Sequence, residues 1–277
     1  MSLKLVTVSY SYDRVPPPVR ALDSVDLDVG VGELVLVLGT TGSGKSTLLL
    51  VASGLVEPDG GEALIDGAIL ERGHVGSSVG LVFQDAESQL FADSVIDDVA
   101  FGPLNLGADP DEASERAREA LATVGLQPDE FGDRSPFSLS GGEARRAAIA
   151  GVLAMRPRYL LADEPTAGLD APGRKAVREA LLRARKTAGV VVVSHSSDEF
   201  LPHADKVLLL TGGRTSWWGP ARALVADPSP LVEAGLRLPP VLGVQAELCR
   251  RGRYDQPFTL DPAEAAHRIS QVMGCSP

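Results

Sequence analysis

At 277 residues and 44% hydrophobic side chains, the chain is long enough for a large α/β core plus a smaller accessory region, and too apolar to be disordered. A formal net charge of -11 and a 5% aromatic content speak against a nucleic-acid binder, which needs a basic stripe or a stacking surface. They leave a nucleotide open, because a phosphate site needs only local amides, one lysine and Mg2+.

No apolar run approaches the roughly 20 residues of a membrane helix, so any membrane role is expected to act through a partner. Cys249 and Cys275 sit near the C-terminus and nothing at the start reads as a signal peptide, which fits a reduced cytoplasmic setting. His74, His195, His203 and His267 have no zinc-type spacing.

In chain order, Leu3 to Tyr12 reads as an edge strand, broken by Pro16, Pro17 and Pro18. A second strand follows near Ser24 to Val29. Glu33 to Leu38 is an apolar run ending at glycine, as in a buried parallel strand. Thr47 to Val51 reads as a helix leaving a glycine-rich turn, and Val79 to Phe83 as another buried strand. From Phe91 to Pro157 the pattern turns helical. Asp109-Pro110 is an N-cap with proline at the first helical position, Ala113, Ala117, Leu121 and Val124 share a face, and Gly125 is a stop. Strands return at Tyr159 to Ala162, Val190 to Val193 and Lys206 to Leu210. A helical insert at 91–157 thus interrupts a mostly parallel sheet. Beyond it, Trp217-Trp218 reads as an exposed pair in a turn that packs the tail on the core or else anchors a partner, Pro239-Pro240 as a linker, and Asp261-Pro262 as the start of an amphipathic helix reaching Val272.

Gly39-Thr40-Thr41-Gly42-Ser43-Gly44-Lys45-Ser46 fits G-x-x-x-x-G-K-S/T at every fixed position, between a strand and a helix. Glycines let backbone N–H groups turn inward around phosphate oxygens, and the helix that follows offers its positive end to the same anion. Lys45 is expected on the β- and γ-phosphates and the Ser46 hydroxyl on Mg2+. Thr47 follows in the same turn and belongs to the same nucleotide site. Tyr159 to Ala162 ends in Asp163-Glu164, placing one carboxylate to hold Mg2+ and the next to act as general base. Ser140-Gly141-Gly142-Glu143 has the S-x-x-E pattern of a capping box. A plain cap has no need of two glycines in the first helical turn, where glycine costs stability, so a ligand is expected to approach there.

These motifs in this order resemble the ATP-binding-cassette ATPases, over about residues 3 to 215. The resemblance implies a P-loop ATPase fold with a mostly parallel sheet, an N-terminal antiparallel β subdomain and a helical insert. It divides the chain into an ATPase domain, 1–215, and a small helical C-terminal extension, 216–277. It implies ATP and Mg2+ as cofactors, and a head-to-tail dimer in which Ser140, Gly141 and Gly142 contact the γ-phosphate held by the other copy's Lys45. Tyr12 matches the adenine-stacking aromatic, with Tyr10 a competing candidate. Gln84 matches the glutamine linking Mg2+ to the helical insert, Asp170 the aspartate of the inter-subunit loop, and His195 the γ-phosphate sensor. Lys45, Glu164 and His195 would be the catalytic groups, and Ser46, Gln84 and Asp163 the metal ligands.

Within that family, Phe83-Gln84-Asp85-Ala86-Glu87-Ser88-Gln89-Leu90-Phe91 and the segment Asp97 to Pro103 are similar to the energy-coupling-factor importers and their cobalt-transport relatives. Gly235-Leu236 and Pro239 resemble that group's C-terminal extension. Ala86 stands where proline is usual, and Glu143 where glutamine is. The group works as a peripheral ATPase on the cytoplasmic face of the membrane, bound to integral membrane subunits and paired with itself or with a related ATPase. The implied cargo is a vitamin or a transition-metal ion such as cobalt or nickel. The alternative, a soluble cassette ATPase of DNA repair or translation, would bring coiled coils, zinc modules or a second cassette, none of which is seen. A silent regulatory subunit would not need Lys45, Asp163, Glu164 and His195 intact.

Overall fold

The computed structural model describes residues 1–12, 18–70 and 78–273; Pro16, Pro17, His74 and Cys275 lie outside the described residues. The elements run β1 (Ser2–Tyr12), β2 (Val19–Gly30), β3 (Leu34–Leu38), α1 (Lys45–Ala52), β4 (Gly60–Ile65), β5 (Ala68–Ile69) and β6 (Val79–Val82). The helical insert follows as α2 (Val95–Asn105), α3 (Pro110–Thr123), α4 (Pro128–Phe131) and α5 (Gly141–Ala154). The chain returns through β7 (Tyr159–Asp163), α6 (Ala171–Ala184), β8 (Gly189–Ser194), β9 (Lys206–Thr211) and β10 (Arg214–Pro220). It ends in α7 (Ala221–Ala226), α8 (Ser229–Glu233), α9 (Pro240–Arg250) and α10 (Pro262–Met273).

Two sheets form. The larger has the order β10-β9-β3-β8-β7-β6 and is parallel except for β10; the smaller, β2-β1-β4-β5, is antiparallel. Side chains on a strand alternate between faces, and both faces of the large sheet are covered. Leu34, Leu36, Leu38, Leu160, Val190 and Val192 point into a core shared with the insert helices and α6. Val35, Val37, Leu161, Val191 and Val193 point into a second core shared with α1 and the small sheet. That is why these strands read as continuous apolar runs.

The expected insert is present. Asp109 accepts the N–H groups of Asp111 and Glu112 at 3.1 and 3.0 Å, and Gly125 follows the end of α3 at φ 77°. Three local expectations are corrected. Leu3 to Tyr12 is no edge strand, since β1 lies between β2 and β4. Its period-two alternation marks one buried face and says nothing about how many neighbours share its backbone. Trp217-Trp218 lies within β10, and the turn is Gly212-Gly213, a two-residue hairpin loop between the paired Thr211 and Arg214. Trp217 packs on the main core, while Trp218 stays 37% exposed. Pro239-Pro240 is no linker: Pro239 caps α9 and Pro240 is its first residue, where a missing N–H costs nothing.

Candidate functional site

Ligands of open parallel sheets bind at the carboxyl ends of the strands, and there the candidate residues gather. Four neighbouring strands contribute in sheet order: β3 leads to the glycine-rich loop, β8 to His195, β7 to Asp163-Glu164 and β6 to Gln84. In-register pairing of Leu38 with Ser194 and of Asp163 with Val193 sets these ends level. They border a cleft of about 400 Å3 whose walls include Tyr12, Lys45, Ser46, Gln84, Glu164 and His195. Thr41, Gly42, Gly44, Thr47 and Asp163 also line it.

Lys45 opens α1 and is buried; its ammonium donates to the carbonyls of Gly39 and Thr40, each at 2.9 Å. Burial pushes its pKa down, against the opposing pull of the Glu164 and Asp163 carboxylates. The loop is tightly built. A Cβ on Gly39 would come within 2.4 Å of Ser43 Oγ and 2.5 Å of the Leu210 carbonyl oxygen. Ser43 Oγ is itself buried without a hydrogen-bond partner among the described residues. Such an orphan, at the turn of a loop and ahead of a helix N-terminus, suits an anion as its missing partner. Gly39→Ala is therefore expected to weaken ATP binding about 10–100-fold, from an overpacking cost of about 1–3 kcal/mol. Titration with a fluorescent ATP analogue checks this, and unchanged affinity would contradict the loop geometry.

Asp163 is the last residue of β7 and is buried. Burial raises its pKa, the Ser46 hydroxyl and the cations Lys45 and Arg145 pull the other way, and the Glu164 charge adds to the rise. Glu164 follows in the left-handed region at φ 46°, a strained conformation for a side chain of this size. It is held there by its N–H on the Val193 carbonyl at 3.0 Å. One carboxylate oxygen lies 2.8 Å from His195 Nδ1 and the other accepts the Ser194 hydroxyl at 3.4 Å. His195 is largely exposed, while the Glu164 side chain is 13% exposed. A carboxylate pinned at both oxygens beside an open cleft is placed to receive a proton from a water in that cleft.

Tyr12, rather than Tyr10, lines the cleft; its hydroxyl is 3.2 Å from Thr47 Oγ1 and Tyr10 packs edge-on behind it at 5.0 Å. Val19, Arg20 and Ala21 complete that wall. Sequence reasoning missed them, because only the pairing of β1 with β2 brings them beside Tyr12. Arg145 was also missed, and it ties α5 to the site through the carbonyls of Ala167, Glu164 and Gln84.

Other candidates lie elsewhere. Gly39 and Thr40 line an adjoining cavity on the far side of the loop, facing Gly235 to Leu238 of the tail. Ser140, Gly141, Gly142 and Asp170 do not line this cleft. Ser140 caps α5 in a complete capping box: its N–H and hydroxyl donate to Glu143 Oε2 at 2.8 and 2.7 Å, and Glu143 N–H points back at Ser140 Oγ at 3.4 Å. Asp170 caps α6 by accepting the Gly173 N–H at 2.8 Å. A Cβ at Gly141 would meet nothing within 4 Å, and at Gly142 only Leu169 at 3.5 Å. Neither glycine is demanded by its own chain.

Among the described residues, no group of three or more His, Cys, Asp or Glu side chains is placed to hold a metal ion, so an all-protein metal cage is not built here. A hydroxyl (Ser46), a carboxylate (Asp163) and an amide (Gln84) around a phosphate cradle form a hard oxygen set that fits Mg2+ shared with a nucleotide.

The family described as ABC transporter matches residues 22–167. The energy-coupling factor transporter ATP-binding protein EcfA2 of Symbiobacterium thermophilum is 43% identical over 97% of this chain and 96% of its own length. The protein of the same description from Caldanaerobacter subterraneus is 38% identical over 99% and 98%. Among solved structures, cbiO1 of Clostridium perfringens, described as part of the ABC transporter complex cbiONQ, superposes with a TM-score of 0.71 at 32% identity, covering 88% of this chain and 98% of that one. The ATP-binding cassette MJ0796, a dimer in a post-hydrolysis state bound to ADP and Pi, superposes with a TM-score of 0.73 at 28% identity, over 79% and 98%. Cleft, motif order and full-length likeness agree: the chain belongs to the ABC transporter family and is one of its ATP-binding, ATP-hydrolysing subunits.

Proposed function

We propose that this chain energises an importer of the energy-coupling-factor type, whose cargo is a micronutrient such as a vitamin or a cobalt or nickel ion. Residues 1–215 act as the ATPase domain and 216–277 as its extension. The chain works on the cytoplasmic face of the membrane as a peripheral subunit, bound to integral membrane transport proteins and paired with a second copy or a related ATPase. No described helix is long and apolar enough to cross a membrane, so the channel is assigned to those partners.

The observation carrying the reading is the cleft itself, where Lys45, Asp163, Glu164 and His195 converge beside the glycine-rich loop. In the proposed site Tyr12 stacks on adenine. The loop amides from Gly39 to Ser43 and those of Gly44, Ser46 and Thr47 hold the β-phosphate, and Lys45 neutralises the β- and γ-phosphates. Ser46, Asp163 and Gln84 would hold Mg2+, which when bound offsets the charge of the transferring phosphoryl group. Glu164 takes the proton of a water as its oxygen attacks the γ-phosphorus; the bond to the β–γ bridging oxygen breaks, leaving ADP and phosphate. His195, bonded to Glu164 through Nδ1, orients that carboxylate and turns its other ring nitrogen toward the γ-phosphate.

Closure is assigned to the second face. Ser140, Gly141, Gly142 and Asp170 stand apart from the chain's own cleft, and the first turn of α5, with no side chain at Gly141 or Gly142, is assigned as an anion-binding helix terminus where the Glu143 carboxylate now takes the Ser140 N–H and hydroxyl. Seated on the γ-phosphate of a partner's nucleotide, it would join two chains head to tail only while ATP is intact.

Affinity purification of the tagged chain from detergent-solubilised host membranes tests the assignment. An integral membrane scaffold co-purifying with a small membrane protein is the expected result, and the latter's bound ligand would identify the cargo. Recovery of soluble complexes with nucleic acid or ribosomes, and no membrane protein, would overturn the transport reading while leaving the ATPase in place.

A further inference from the structure

We propose that Arg145 is a positioning residue for hydrolysis, a guanidinium clasp that locks α5, the helix capped by Ser140, to the turn after β7 that carries Glu164 and to the Gln84 loop. Arg145 lies in the second turn of α5, five residues after Ser140, and is buried. Nη1 donates to the Ala167 carbonyl at 2.8 Å; Nη2 donates to the Glu164 carbonyl at 3.2 Å and to that of Gln84. Each acceptor belongs to a segment with a proposed role: Gln84 and Glu164 are themselves site residues, and Ala167 opens the turn leading to Asp170. No other side chain among the described residues bridges all three segments.

Two features separate the clasp from ordinary packing. Glu164 is a non-glycine residue in the left-handed region, a conformation that persists only where its surroundings over-determine it. Its N–H is fixed by Val193 and its carbonyl by Arg145, so the peptide units on both sides of the catalytic carboxylate are pinned. The guanidinium also bonds only to carbonyl oxygens here, so its charge is not cancelled by a partner of its own and acts on the carboxylates next to it. A planar fork with five fixed donors reaches three carbonyls at once, and a lysine does not. Arg145 thus couples the position of Ser140, at one end of α5, to the aim of Glu164.

The inference rests on Glu164 being the general base, and a double-mutant cycle separates the two. ATP affinity, the number of ATP sites by titration, and single-turnover rate per titrated site would be measured for the purified complex carrying Arg145→Gln, Arg145→Lys, Glu164→Gln, or Arg145→Gln with Glu164→Gln. Arg145→Gln is expected to keep its sites and bind ATP within about threefold of the parent, yet turn over about 10–100-fold more slowly, as for a misplaced catalytic group. Arg145→Lys should fall between the two. In the Glu164→Gln background, Arg145→Gln should cost less than about twofold more, since residues acting as one unit are not additive. The same fold loss in both backgrounds, or an undiminished rate per site, would overturn the clasp. So would a loss of titratable sites matching the loss of activity in both Arg145 variants, which would make Arg145 a fold residue only. A Glu164→Gln chain with full turnover would instead remove the base assignment, and the clasp with it.

Discussion

Glu164→Gln is expected to bind ATP within about threefold of the parent and to hydrolyse it about 10²–10⁴-fold more slowly, the usual worth of a positioned general base. Glutamine is nearly isosteric and keeps an oxygen for the Ser194 or His195 contact, so the left-handed turn at φ 46° and its N–H bond to Val193 remain. What is lost is the largely enclosed carboxylate that faces the cleft between Ser194 and His195. Asp163 is no substitute: it is buried beside Ser46 and Lys45, where it is proposed to hold Mg2+. Phosphate release under saturating ATP measures the effect, with nucleotide binding followed in parallel. Undiminished hydrolysis would remove Glu164 from this role.

Ser140→Arg is the second large effect, and its logic is the reverse. Ser140 lies outside the chain's own nucleotide cleft, so ATP binding to one chain should stay within about threefold of the parent. Beside the Ser140–Glu143 cap, the first turn of α5 has no side chain at Gly141 or Gly142, where a Cβ would touch almost nothing of this chain. A long guanidinium side chain there would fill the space that the proposed head-to-tail pair gives to a partner's γ-phosphate, and it also breaks the Ser140–Glu143 capping box. Loss of the cap costs about 1 kcal/mol of stability, too little to unfold a domain of this size. ATP-dependent pairing should fall by at least about 100-fold in affinity, and turnover should fall with it. Light-scattering mass in ATP and in ADP reads this out; ATP-dependent pairs of normal mass from the variant would refute the composite site.

Much of this was legible in the sequence, for identifiable reasons. The phosphate loop, Asp163-Glu164 and the Ser140–Glu143 cap are local, and each needs particular residue types at fixed spacing. The structure brings Lys45, Ser46, Gln84, Asp163, Glu164 and His195 to one cleft because their strands are neighbours in one parallel sheet. The buried strands were legible from continuous Val and Leu runs. What stayed hidden depends on pairing between distant segments. β1 gains a second neighbour only when Gly60–Ile65 finds it, and Arg20 reaches the cleft only through the β1–β2 register. Pro239-Pro240 was misread because a proline pair signals a helix start as well as a break. Arg145 gave no local sign. It follows the cap on a helix like any surface arginine, and only the folded chain shows its guanidinium turned inward onto three carbonyls.

In the proposed assembly each chain serves two nucleotide sites, its own through Lys45 and a partner's through Ser140. Vanadate trapping followed by light-induced backbone cleavage tests this most directly in the purified complex, because vanadate takes the place of the γ-phosphate and cuts the chain only where it is touched. Two sets of fragments are expected from this chain, one cut in the loop at Gly39–Ser46 and one at Ser140, both dependent on ATP. Cleavage at the loop alone, with Ser140 untouched under full trapping, would contradict it.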